Sequence, residues 1–276
     1  MKKQLVVDIL TLPGITGNPN YHTGGVQLDK SRRHLTIIAN AAPAFATNGE
    51  DISGSNVALS YDVDSKKVEW EVNLTAIVKG KYGGFQDADL DSRGNTFVIG
   101  SFPSSIVKIS PGGKEAVSWY EAEGVSQTVY GFSGITAAEN GQLLLVSDNS
   151  TGGLLRFDPA EQQGRPTQIP LQNLSGNRIG QHLDAILLPK FLNGEVLLVV
   201  DGQKGVIVIR SKSQKWGKAE VRGAVPNAYA SEGGVTVAVI EAWERLYVIT
   251  EWMDSTLNRT AFPVYDITDK VWQLLE

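Results

Sequence analysis

Five short runs decide how this chain folds: Thr36-Ile-Ile-Ala-Asn40, Phe97-Val-Ile-Gly-Ser101, Leu144-Leu-Val-Ser-Asp148, Leu197-Leu-Val-Val-Asp201 and Tyr247-Val-Ile-Thr-Glu251. Each is apolar for three or four residues, rich in β-branched or leucine side chains, and ends on a polar residue. Apolar runs of this length, bounded by Gly, Asn and Asp and without polar alternation, suit strands buried on both faces. Working outward, each run follows another apolar stretch that opens at Gly24-Gly25, Gly83-Gly84, Ser133-Gly134, Leu183-Asp184 or Gly233-Gly234. The intervals between these openings are 59, 50, 50 and 50 residues. In the second period four strands are legible: Gly84 to Leu90, Thr96 to Gly100, Ile106 to Ile109 and Ala116 to Tyr120. The third gives Ile135 to Ala138, Leu143 to Ser147, Leu154 to Phe157 and Gln168 to Leu171. No stretch carries a sustained helical period.

Four strands per fixed repeat predict an all-β fold, a β-propeller whose blades pack face to face around a channel. A sandwich would give no reason for a 50-residue register. Five complete blades are expected, over about 22–80, 82–129, 130–180, 181–230 and 231–276, in a single domain of 276 residues. Gln4 to Leu12 adds one N-terminal strand, which either closes the ring or is the remnant of a sixth blade. The segment from Asn40 to Ser55 is small, polar and glycine-rich. It makes the first blade longer and is a candidate lid.

The composition excludes several chemistries. Lys and Arg total 25 against 30 Asp and Glu, a net charge of −5 with no basic block, so nucleic acid is not an expected partner. The absence of Cys removes disulfides, thiolate catalysis and Cys-ligated metals. The three His are His22, His34 and His182, too few for a His-rich metal site. The N-terminus lacks the apolar core of a signal peptide, and no window approaches a membrane span. The expected location is therefore the cytoplasm, or the secretory pathway if a leader has been removed. Four Asn-X-Ser/Thr sequons, at Asn73, Asn149, Asn173 and Asn258, fit chance in a Ser/Thr-rich chain.

Propeller strands alternate in direction, so the start of each first strand and the end of each second strand share one rim. The starts bring His22, Tyr82, Asp87, Tyr130, His182, Asp184, Tyr229 and Glu232 to that rim; the ends bring Asn40, Ser101, Asp148, Asn149, Asp201 and Glu251. Phe45, Phe102 and Trp252 follow close behind. Each has a plain structural reading. Asp148 and Asp201 can cap turns, the tyrosines can pack blade on blade, and the glycine pairs can relieve crowding near the axis. A concave apolar mouth with a few polar groups is nonetheless the default ligand site. Oxygen ligands at Asn40, Asp148, Asp201 and Glu251 leave a hard metal possible there. No Gly-x-Ser-x-Gly elbow and no phosphate-binding glycine loop is present.

Asn40-Ala-Ala-Pro-Ala-Phe45, Gly49 to Asn56, Tyr82-Gly-Gly-Phe-Gln-Asp87, Gly94-Asn95 and Gly100-Ser-Phe-Pro-Ser-Ser-Ile-Val-Lys108 carry a resemblance. They look like a family of fungal biosynthetic-cluster proteins whose name-giving member sits in the trichothecene gene cluster. That family is similar to six-bladed, calcium-dependent lactonases of the regucalcin and gluconolactonase type. The resemblance covers most of residues 20–260 and is most specific in the first two blades.

It implies a cofactor-free hetero-Diels–Alderase, because relatives in tropolone–sesquiterpenoid clusters are implicated in joining an ortho-quinone methide to a terpene polyene. On that reading His22, Tyr82, Tyr130 or His182 would donate hydrogen bonds to the diene carbonyl. Asp184, with His182 nearby, would assist loss of water from a benzylic alcohol. Phe45, Phe85, Phe102, Phe132 and Trp252 would form the apolar wall, with Asn40 and Tyr229 beside the hydrophobic small-molecule substrate. Two alternatives differ in class. A metal-dependent lactonase would hold its ion through Asp148, Asp201 and Glu251, although Lys2 to Tyr21, whose only carboxylate is Asp8, lacks the early Glu such enzymes use. A non-catalytic binding or scaffold propeller would need none of these groups.

Overall fold

The structure is a computed structural model describing residues 9–29, 33–174, 176, 178–253 and 262–276. Five antiparallel blades stand around one axis. Blade one holds β1 (Tyr21–Asp29), β2 (His34–Ala41), β3 (Val57–Asp62) and β4 (Lys67–Asn73), in that order outward, with a helical turn α1 (Pro43–Ala46) after β2 and another, α2 (Leu74–Ile77), after β4. Blade two repeats the order with β5 (Gly83–Leu90), β6 (Thr96–Phe102), β7 (Ser104–Ile109) and β8 (Ala116–Glu121). Blade three holds β9 (Phe132–Ala138), β10 (Leu143–Asp148), β11 (Gly153–Phe157) and the short β12 (Thr167–Gln168). Next comes β13 (Leu171–Gln172), which pairs in parallel with the outer strand of blade four. That blade is β14 (Leu183–Leu187), β15 (Val196–Asp201), β16 (Gly205–Arg210) and β17 (Ala219–Pro226). Blade five shows β18 (Val235–Ala242), β19 (Arg245–Glu251) and β20 (Val264–Asp266), followed by α3 (Thr268–Leu275).

The second strands explain themselves in this architecture. Side chains alternate across a strand, and in the three middle blades each face meets a different neighbouring blade. Ile38 and Val98 share the core between blades one and two, while Phe97 and Ile99 join Leu144 and Val146 between two and three. Leu145 meets Leu197 and Val199 between three and four, and Leu198 and Val200 meet Leu246 and Val248 between four and five. In these middle blades both faces are dry, so an uninterrupted apolar run is required, whereas β19 alternates between buried and half-buried residues. Each such side chain contributes about 1.5–3 kcal/mol by burial.

Four expectations change. The fourth strand of the third period is not continuous over Gln168 to Leu171: the chain leaves blade three after Gln168 and Leu171 crosses to blade four. The last period has three strands among the described residues, and its end is helical. In α3, Thr268, Val271 and Leu275 fall on one buried face, a pattern too short to stand out from the surrounding strands. Most of the strand expected over Gln4 to Leu12 lies outside the described residues, and residues 9–12 form no strand. Instead Leu12 and Ile15 pack with Ile37, Leu59 and Tyr61 on the face of blade one turned away from blade two. Finally, the innermost strands β1, β5, β9, β14 and β18 pack in succession, but among the described residues blade five makes no comparable strand packing with blade one. Among the described residues the five blades form an open arc.

Every innermost strand is bulged at an equivalent level. The register slips at Gly24-Gly25 in β1, Gln86 in β5, Ser133 in β9, Asp184-Ala185 in β14 and within Thr236–Ala238 of β18. A bulge bends the strand and re-aims a side chain. In β5 and β14 the bulged residues are Gln86 and Asp184, whereas in β1 the bulge is Gly24-Gly25, which brings the backbone close to Gln86.

Candidate active site

The roof of the channel comes from the long first-blade loop. α1 brings Phe45 onto Phe102 at 5.3 Å between ring centroids, edge to face, and Tyr130 stacks on Phe102 at 5.3 Å. Ala44 and Ile52 complete this small core. The Gln127 side-chain amide donates to the carbonyls of Gly49 and Glu50, both at 2.9 Å, pinning the loop across blade two. Gly83 and Gly84 make the closure possible. A Cβ on Gly83 would meet Ile52 at 2.9 Å, and one on Gly84, whose φ is +62°, would meet the Phe102 ring at 2.7 Å. This pair serves the lid, whereas Gly25 serves the crowding expected near the axis, its Cβ position lying 2.7 Å from the Gln86 carbonyl.

Below the roof the channel wall is acidic. Asp87 on β5 accepts from the Ile135 amide of the next blade at 3.0 Å and from its neighbour Ala88 at 2.9 Å. Burial nevertheless raises its pKa to about 7, with Asp89 and Asp184 adding repulsion. Asp184, in the β14 bulge, is also pushed up to about 7 by burial, helped by the charge of Glu251. Both carboxyls retain some contact with solvent while protein surrounds them, as expected of groups lining a narrow channel. Asp89, one turn of the pleat further down, is raised by burial too. It is held by the Ala137 amide at 2.7 Å and the Gln27 side chain at 3.0 Å, and so staples blades one, two and three. The Tyr130 hydroxyl accepts from Gln86 Nε2 at 3.4 Å. Burial, then the nearby Asp184, drives its pKa upward, so it stays a protonated donor.

The structure thus gathers Phe45, Phe102, Tyr130 and Asp184 with Asp87 at one mouth. His22 and His182 are exposed on the same rim, and no hydrogen bond or ion pair joins His182 to Asp184 among the described residues. Tyr82 packs in the core between blades one and two. Phe85 and Phe132 are completely buried between blades and offer no surface to a ligand, because the sequence could not say which side of the inner strand faces the neighbouring blade. Tyr229 and Trp252 form a separate group with Tyr265 and Phe262 on blade five; Tyr229 lies 5.9 Å from Trp252. Asn40 is 3% exposed and its Oδ1 has no hydrogen-bond partner.

Asp148 and Asp201 are turn caps. Asp148 accepts from Ser150 N at 3.0 Å, Ser150 Oγ at 2.7 Å and Thr151 Oγ1 at 2.8 Å. Asp201 accepts from the amides of Gln181, His182, Gln203 and Lys204; burial alone would raise its pKa, but these amides bring it below the ordinary value. Among the described residues the ligand atoms of Asp148, Asp201 and Glu251 do not gather within 4.8 Å of one another, and the turns engage the oxygens of Asp148 and Asp201. The sequon at Asn149 is also closed to modification, since its buried amide is paired to the Leu183 backbone in both directions at 2.8 Å. The sequon at Asn258 lies outside the described residues.

Gln86, Gln27, Asp89 and Gln127 were not singled out by sequence. The Asp87-Ala-Asp89 spacing on an inner strand was the available signal for two same-face carboxyls. On the opposite rim, between blades two and three, lies an open cleft of about 780 Å³ lined by Asp91, Arg93, Glu139, Arg156, Asp158 and Arg165. Its charges alternate in sign, and Arg93 is already engaged with Asp91 and the Pro159 carbonyl. The turn there is locked by Asp91, which accepts from the Arg93 and Asn95 amides at 2.8 and 2.9 Å.

Against known proteins, the chain is 28% identical over 290 aligned positions to "Trichothecene biosynthesis protein 14" of Trichoderma arundinaceum, covering 98% of this chain and 78% of the relative. The chain is similar to a fungal biosynthetic-cluster protein along nearly its whole length. Among solved structures it superposes on the Malassezia sympodialis allergen Mala s 1 with a TM-score of 0.79 at 20% identity, covering 93% of this chain and 81% of the allergen. The periplasmic gluconolactonase PpgL of Pseudomonas aeruginosa gives a TM-score of 0.52 at 15% identity, with 88% and 71% covered, which shows a common fold. No protein-family model matches the chain. No helix among the described residues is long and apolar enough to cross a membrane.

Proposed function

We propose that this chain is a cofactor-independent cyclase of fungal specialised metabolism, joining a quinone methide to a terpene polyene in a hetero-Diels–Alder reaction at the mouth of the channel. The observation that carries this reading is the meeting of two carboxyls, Asp87 and Asp184, with the Tyr130 phenol beneath an aromatic roof. The likeness to a protein of trichothecene biosynthesis supports the metabolic setting.

The chemistry balances with these groups alone. From an ortho-hydroxybenzyl alcohol, the protonated member of the pair gives its proton to the benzylic hydroxyl, which leaves as water. The ionised member takes the phenolic proton, so the pair ends with one proton as it began. Carboxyls whose pKa lies near neutrality are suited to both roles. The carbonyl so formed accepts from Tyr130 Oη, whose lone pair is already engaged by Gln86. The polyene lies against Phe45, which Phe102 backs from the protein side, and the cycloaddition forms one C–C and one C–O bond without further proton transfer. The roof excludes the water that would otherwise add back to the quinone methide.

The test incubates the purified chain with such an alcohol and a cyclic sesquiterpene polyene. A stereochemically enriched adduct above background, indifferent to chelator and reduced about 100-fold by Asp184→Asn, is expected. Racemic adduct at the background rate, or activity that chelator abolishes, would overturn the reading.

A further inference from the structure

On the rim opposite the mouth, blade one carries a cluster that the reaction above does not use. His34 begins β2, and its partners across the sheet are Asp29 on β1 and Asp62 on β3. Directly opposed residues point to the same face, so the three side chains form one row. Glu69 would not join that row in a regular strand. β4 is bulged there, because Ser60 pairs with Trp70 and Tyr61 with Val68, which leaves Glu69 as the extra residue. The bulge swings its carboxylate to 2.9 Å from His34 Nε2, while Asp62 Oδ2 lies at 3.3 Å from the same nitrogen. Among the described residues this is the one trio of such side chains whose ligand atoms all lie within 4.8 Å of one another.

Two further observations bear on an occupant. Both ring nitrogens of His34 are buried and neither has a hydrogen-bond partner, so the close approaches to Asp62 and Glu69 lack hydrogen-bond alignment. Beside the ring, on the side away from Asp62, lies a partly open cavity of about 20 Å³ lined by Asp29, His34 and Glu69 and, from blade two, by Gly94 and Gly112. That is room for a single ion or water. Ligand atoms around a tetrahedral zinc with bonds of about 2.0–2.1 Å stand about 3.3 Å apart, close to the spacing seen.

We infer that His34, Asp62 and Glu69 form a divalent metal site on the far rim, selective for zinc. Imidazole favours zinc over calcium or magnesium, which take oxygen donors. With a neutral imidazole and two carboxylates, one position remains for water or for Asp29. The ion would tie β2, β3 and β4 together at the edge of blade one. The inference is independent of the cyclase reading, since the site lies on the other rim and its test reads binding and stability.

The experiment titrates the chelator-treated 276-residue chain with zinc chloride, followed by calorimetry and by thermal unfolding, with calcium and magnesium chloride as controls. One zinc per chain is expected. The Tm should rise by about 5 °C when free zinc is a hundredfold above its Kd. Glu69→Gln, a conservative change at a partly exposed bulge, and His34→Gln should each weaken binding at least tenfold and remove the Tm shift. Zinc binding that both variants retain, no binding at all, or equal shifts with magnesium would each overturn the assignment.

Discussion

Asp148 and Asp201 at the ends of second strands, and Asp87 and Asp184 on the innermost strands, occupy the same end of the molecule and behave in opposite ways. The first pair sits where the chain turns. Freed amides and hydroxyls converge on each carboxylate, and Asp201 is held ionised below its ordinary pKa. The second pair sits where strands run on past the side chain. The backbone there is occupied by the ladder, few donors are free, and burial with like charges pushes the carboxyls up to about 7. Turn position makes an anchor, and channel position leaves a carboxyl with a raised pKa. Sequence alone shows four aspartates near one rim.

The difference is sharpest under substitution. Asp201→Ala strands four amides and should cost about 3 kcal/mol, read as a fall in Tm of about 6–12 °C. Asp201→Asn, which keeps one acceptor oxygen, should cost less. The lid offers the next largest effect. Gly84→Ala places a Cβ against Phe102 at a positive φ and should cost about 2 kcal/mol in chemical denaturation, with loss of hydrophobic ligand binding.

The channel pair should respond with the other sign. Asp87 and Asp184 bind protons more tightly in the folded state, with pKa raised from 3.8 to about 7. Between those values the folded chain holds more protons than the unfolded one, so stability falls as pH rises through the window. Asp87→Asn or Asp184→Asn should flatten that slope and leave the protein more stable above pH 7, on the order of 1 kcal/mol, while lowering turnover. Asp201 contributes stability above its unfolded pKa, lost as pH falls below it, so its variants should alter only the acid limb. If the Asn variants at 87 and 184 lower stability instead, these carboxylates are anchors and the comparison fails. The smallest effect is expected from Gln127→Ala. It removes two hydrogen bonds to the lid and should cost about 1 kcal/mol, with faster proteolysis within residues 42–56 as the direct readout.

The mouth was partly legible in the sequence. Alternating strand direction put Tyr130, Asp184, Phe45 and Phe102 on one rim before any coordinates, and the glycine pairs marked close approaches. Phe85 and Phe132 were misplaced because inner-strand alternation does not say which face meets the next blade, and each is fully buried there. Gln86 and Glu69 act through bulges, and a bulge depends on a partner strand that the local sequence does not contain.

By itself the sequence determined the repeat. Apolar runs such as Leu197 to Val200 can be dry on both faces only between two sheets, and a 50-residue period supplies one sheet after another. The tertiary structure decided the electrostatics and the packing of loops: which aspartate is capped, which is pushed up, and which loop folds onto the rim of blade two. Those outcomes depend on desolvation and on donors contributed by neighbouring blades, as when Ile135 of blade three bonds Asp87 of blade two across 48 residues of chain.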